Sequence, residues 1–193
     1  MLASESLRDT RRATVSVSLD SLIPADHMIR KIDSAIDWQA CCAPMRACYS
    51  AERGRPAFEP EMLLAFALLR HIYEMDSLRA AAAEMQTNLV YRWFIGCPLD
   101  ENVPHFSTIS ANMLHRIPAD VFEEAFAKAI SYIIDAGVMR PEQLIRKSPF
   151  LREGGMYEQL CTRYFLAASQ ISFAIAETET EKPASAGQIR MDF

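Results

Sequence analysis

The chain has 193 residues, a formal net charge of −5 and an apolar fraction of 50%. That length suits one domain, or one domain with an appendage, and that composition supplies a sizeable core. It excludes a membrane helix, because no run reaches the roughly 18 apolar residues that a span needs, and it argues against a binder held to nucleic acid by gross positive charge.

Only 6 glycines and long apolar runs favour an all-α class. Residues 1–12 are polar and lack an apolar signal core, so export is not expected and the cytoplasm is. Cys41, Cys42, Cys48, Cys97 and Cys161 are odd in number and irregular in spacing. Such thiols are expected to be free in a reducing compartment, without the paired spacing of a zinc site. Lysine occurs only at 31, 128, 147 and 182, so the basic residues are mostly arginine. Arginine is the side chain that makes forked contacts to phosphate and guanine.

Residues 1–14 read as a flexible arm with Arg8, Arg11 and Arg12 close together. Val15 to Leu19 alternates like a short strand or an extended lead-in. Asp26 then fits an N-cap for a helix from His27 to Trp38, with Ile29, Ile32 and Ile36 on one face and His27 as a surface or packing residue. A short helical piece from Cys41 to Tyr49 contains Pro44. The next loop holds Arg53-Gly54-Arg55, where glycine would let the backbone approach a phosphate.

Pro60 sits where a helix tolerates proline, and residues 61–73 are apolar nearly all round, as a central helix must be. Ser77 can cap an alanine-rich helix to Met85, and Thr87 or Asn88 can cap the short helix that follows. Trp93 and Phe94 read as core and Arg92 as exposed. Ser107 or Thr108 caps a further helix to Arg116, whose outer side offers Ser110, Asn112, His115 and Arg116. Asparagine and arginine are the usual readers of base edges. Residues 121–136 form the clearest amphipathic helix, stopped by Gly137, with Glu123 and Glu124 on its solvated face. From 144 to 193 the character changes to a divergent tail, one helix from about Met156 and then a disordered stretch from Glu177.

No catalytic constellation assembles from these residues. There is no Gly-rich phosphate loop, no nucleophile elbow, and no His or Cys metal pattern. His105 and Ser107 lie close but lack an oriented acid. The expected fold is therefore an all-α helical bundle containing a helix-turn-helix-like unit, with no cofactor and no metal.

Several spaced stretches carry a resemblance. They are Ile23-Pro24-Ala25-Asp26-His27, Gly54-Arg55-Pro56, Leu89-Val90-Tyr91-Arg92-Trp93-Phe94-Ile95-Gly96, Val103-Pro104-His105-Phe106-Ser107-Thr108, and Val121-Phe122 leading to Asp135-Ala136-Gly137-Val138. In this order they resemble the InsH-type N-terminal domain of bacterial insertion-sequence transposases of the DDE class, over residues 15–143. The resemblance implies a helical DNA-recognition and assembly domain preceding an RNase H-like domain with an acidic metal-binding triad. A strand bearing the first catalytic Asp is then expected soon after Val138. The chain there reads Leu144-Ile145-Arg146-Lys147-Ser148, with no Asp. The expectation is a transposase truncated before its catalytic domain, and so not itself an enzyme.

Arg53, Arg55, Arg79, Arg92, Asn112, His115 and Arg116 are the expected DNA contacts. Of these, Arg92 lies in a stretch that resembles the family, and the others follow from side-chain type and expected exposure. Expected partners are the terminal repeats of the element, a second copy of the chain or the full-length transposase, and no membrane. The competing reading is a helical protein-interaction or self-association module without DNA binding.

Overall fold

A computed structural model describes residues 14–49, 58–146, 148–152 and 155–166. The N-terminal arm before residue 14, the loop holding Arg53 and Arg55, and the stretch from 167 onward lie outside the described residues. Within them the chain is helical, without a strand; the nearest thing to one is an isolated bridge between Ser148 and Leu151. The helices are α1 (Leu19–Leu22), α2 (Met28–Ala35), α3 (Trp38–Arg46), α4 (Pro60–Ile72), α5 (Leu78–Thr87), α6 (Leu89–Phe94), α7 (Phe106–Ala111), α8 (Ala119–Asp135), α9 (Pro141–Leu144) and α10 (Met156–Cys161). A π-helical turn, Asn112–Arg116, continues α7, and another, Thr162–Leu166, continues α10.

Helices α4 and α8 form the centre. Leu63 through Leu69 on α4 are all buried, as the all-round apolar pattern requires. Helix α8 buries Phe122, Phe126, Ile130 and Ile133 and packs against α2, α3, α4 and α10. Each large aliphatic or aromatic side chain so enclosed contributes roughly 1.5–3 kcal/mol. A second layer, α5, α6 and α7, attaches through α4 on one side and through α1 and α2 on the other.

Six of the described α-helices are capped at their start by a side chain, and two of those caps are histidines. His27 Nδ1 accepts the Ile29 N–H at 3.1 Å, so α2 begins one residue later than an Asp26 cap would place it. His105 caps α7 in the same way, displacing the expected Ser107 or Thr108; its Nδ1 also lies 2.7 Å from the Ser107 hydroxyl. An imidazole nitrogen that accepts a backbone N–H does the work of an Asn or Asp oxygen. Ser77 caps α5, as read from the sequence. Asn88 ends α5 and caps α6, accepting from Val90 and Tyr91. The turn between the two helices is thus a single residue.

Pro44 lies inside α3. Having no N–H, it leaves the Ala40 carbonyl without a helical donor, and Lys128 of α8 donates to that oxygen at 3.1 Å. At the other end of α8, Gly137 adopts φ +67°, the left-handed stop expected of it.

Residues after 143, expected as a divergent tail, pack on the same core as far as they are described. Leu144, Ile145, Leu151 and Leu160 are buried in it. The Nε2–H of buried His71 donates to the Leu144 carbonyl at 2.7 Å. Arg146 donates to the carbonyls of His71 and Ile72 and pairs with Glu74 at 2.9 Å, closing the C-terminal end of α4. Glu123, expected on a solvated face, is 3% exposed. Its carboxylate accepts from Arg152 N, Arg152 Nε and Met156 N at 3.1, 2.6 and 3.0 Å. A buried charge is tolerated only with such partners.

Candidate nucleic-acid interface

Helices α5, α6 and α7 with the π-helical turn carry the described candidate residues. Arg79 is exposed near the start of α5, with its guanidinium 4.4 Å from the centroid of the Phe106 ring at the start of α7. Arg116 is exposed at the end of the π-helical turn, 5.5 Å from the centroid of the Tyr49 ring. His115 is exposed beside it. Arg53 and Arg55 lie outside the described residues.

Arg92 does not belong with them. It is 3% exposed. Its guanidinium donates to the carbonyls of Gln86 (3.2 Å), Pro98 and Glu101, and one nitrogen lies 3.6 Å from Cys97 Sγ. Arg92 is therefore the post around which residues 97–101 fold, and the expectation of an exposed DNA contact is corrected. Five donors in a fixed fork can satisfy several carbonyls of an irregular loop at once. Gln86 assists, accepting from Val103 N at 2.8 Å.

Its neighbour Trp93 is the more exposed of the two. The indole N–H donates to Asp20 at 2.9 Å, and Arg30 lies 4.7 Å from the ring centroid while pairing with the same carboxylate at 2.9 Å. The Arg30 hydrogen bond, then that of Trp93, hold the Asp20 carboxyl below its ordinary range. Phe94 is core, as expected, and packs edge-on against Trp38. Asn112 is half-buried and its amide donates to the Thr108 carbonyl at 2.7 Å. That donor is spent within its own helix.

The remaining described cations sort by what they hold. Arg30, Arg46, Arg146, Arg152 and Arg163 are in ion pairs. Arg70 donates to the carbonyls of Met75 and Asp76, and Lys128 to that of Ala40. Arg79 and Arg116 have aromatic rings beneath them and no carboxylate partner among the described residues. Lys31 and Arg140 are exposed elsewhere on the surface, with no carboxylate paired to either among the described residues.

A sequence pattern could not separate Arg92 from Arg79, because both stand on short helices among apolar or aromatic neighbours, Leu78 and Ala80 in one case and Tyr91 and Trp93 in the other. The one available signal was the Cys97-Pro98 break, an irregular loop whose carbonyls need donors.

Over its described residues the molecule is thus an all-helical domain in which two helices, α5 and α6, are joined by a single residue. A family model described as "Transposase domain (DUF772)" matches residues 17–114, half of the chain, and the chain belongs to that family. The match runs from the lead-in to α1 into the π-helical turn; α8 lies beyond it. Membership assigns the chain a role in transposition. No curated protein and no solved structure matches it. No described helix is long and apolar enough to cross a membrane.

Proposed function

We propose that this chain is a DNA-recognition and assembly domain of an insertion-sequence transposase, binding the terminal repeats of its element. The observation that carries the reading is the pair Arg79 and Arg116, exposed cations without a carboxylate partner among the described residues, where most other described arginines are engaged. They stand on the helices that flank the one-residue turn at Asn88 and the π-helical turn. His115 joins them, and Arg53 and Arg55, outside the described residues, are included on side-chain type alone. Asn112 joins it through the second amide N–H and the Oδ1 that its bond to Thr108 leaves over.

We propose further that this chain does not itself cut or join strands. The support is the sequence at 144–148, where the resemblance implies a catalytic Asp. Ile145 there is core and Arg146 closes the end of α4. Strand-transfer assays with magnesium or manganese and cleaved element ends test this; joined product would refute it.

Fluorescence anisotropy tests the DNA reading. Labelled duplex from the element ends and a scrambled duplex are titrated across a salt series. Tighter binding to the ends that weakens steeply with salt supports it. A folded helical sample that binds neither duplex at low salt ends it. The second reading, a self-association module, draws on the exposed Val15, Val17, Leu22, Leu89 and Leu99. Concentration-dependent elution without any response to DNA favours it.

A further inference from the structure

Resting on the DNA-binding reading, we infer that Arg79 and Arg116 grip the phosphate backbone of a duplex and do not read base edges. Each guanidinium is laid on a ring, Phe106 at 4.4 Å and Tyr49 at 5.5 Å. A guanidinium held over a ring is restrained in position and keeps N–H groups for the oxygens of a phosphate. A base reader must instead project free of the surface to reach into a groove. Both rings belong to the framework: Phe106 opens α7, and Tyr49 has its hydroxyl buried. Each arginine is thereby tied across two segments, α5 to α7 and the π-helical turn to the end of the α3 region. A cation set that way holds orientation on a duplex and carries no sequence information.

The same rings speak against single strands as the ligand. Sequence-tolerant binding of single strands relies on aromatic faces open to bases. At this edge each of the two rings turns one face to a guanidinium. The asparagine best suited to read adenine there, Asn112, donates into its own helix.

The test is the salt dependence of anisotropy for Arg79→Gln, Arg116→Gln and the lysine variants R79K and R116K. Labelled element ends, a scrambled duplex and a single strand are the probes. Arg163→Gln, which breaks an ion pair with Asp135, serves as the control for loss of a surface charge. Circular dichroism establishes that each variant is folded. For each glutamine variant the slope of log affinity against log salt falls by about 0.9. The loss is equal on ends and scrambled duplex, and the control slope is unchanged. R79K and R116K keep the slope and lose affinity, because the point charge remains and the fork does not. Loss of preference for the ends with unchanged affinity for scrambled duplex would overturn the inference and leave DNA binding standing. A single strand bound more tightly than the duplex would do the same. A wild-type chain that binds no probe would overturn both.

Discussion

Lys128 Nζ stands 3.1 Å from the carbonyl oxygen of Ala40, four residues before Pro44 in α3. The proline removes the N–H that would reach this oxygen, and a lysine from the neighbouring helix replaces it. A defect inside one helix thus becomes a tie between two, α3 and α8.

This relationship predicts a coupling. Lys128→Met is expected to cost about 1 kcal/mol, the ordinary net worth of such a bond. In a Pro44→Ala background the restored N–H takes over the carbonyl, and Lys128→Met becomes nearly neutral. Urea denaturation of the four-protein cycle measures it. Equal losses in both backgrounds would mean that the lysine does not compensate the proline.

Arg92 and Arg79 are predicted to part company. Arg92→Ala strands the carbonyls of Gln86, Pro98 and Glu101 around a buried void and is expected to cost about 2 kcal/mol or more. Arg79→Ala, at an exposed site, stays within about 0.5 kcal/mol. The comparison is made by denaturation midpoints, with DNA absent. Similar stability of the two variants would remove Arg92 from its place as an anchor.

The Glu123 clasp gives a pH signature. Burial pushes its carboxyl up, but the bonds from the Arg152 side chain, Arg152 N and Met156 N outweigh that, and the net displacement is downward. A depressed carboxyl stabilises the fold above its unfolded value and loses that contribution as pH falls through the folded one. The gap in stability between wild type and Glu123→Gln is therefore widest near neutrality and closes in the acid carboxylate range. Gly155→Ala offers a second handle, since its Cβ would stand 2.6 Å from Glu123 Oε1. It is expected to destabilise wild type more than the Glu123→Ala protein. A pH-independent gap would place the clasp's worth in packing alone.

His71 supplies the opposite kind of group, buried and neutral. Burial lowers its pKa first of all, with Arg146 adding to this and the Leu144 bond and Glu74 opposing. A histidine lowered in the folded state costs stability as pH falls below its unfolded value, because the unfolded chain takes up the proton first. Stability is expected to decline from about pH 6.5 downward. The decline should be shallower in His71→Gln. Proton-detected or carbon-detected NMR of the imidazole gives the site directly; an ordinary midpoint would contradict the burial argument.

Much of the bundle was legible because its cues are local and periodic. The all-round apolar run of α4, the amphipathic stripe of α8, Pro60, Ser77, Asn88 and Gly137 all occupy the places that their chemistry demands. What failed were residues whose partners lie far along the chain. Glu123 looked solvated because Arg152 is 29 positions away. His27 and His105 were passed over as caps because imidazole is a rarer acceptor than the neighbouring Asp or Ser. Arg92 looked like a surface contact because the carbonyls that claim it belong to an irregular loop without a pattern of its own. In the candidate interface, side-chain type drew attention to Arg79 and Arg116, but their ring supports come from other segments and left no trace in spacing.

The seal on α4 has a consequence for how the molecule is made. Leu144, Arg146 and Arg152, which engage His71, the end of α4 and Glu123, are synthesised long after the helices they close. A growing chain that has just released α8 from the ribosome carries an unsheathed apolar core and a carboxylate still in search of its partners. Folding of the central pair is therefore completed only after residue 152 has emerged, and the interval before that is when the nascent chain is most exposed to chaperones and to its own kind.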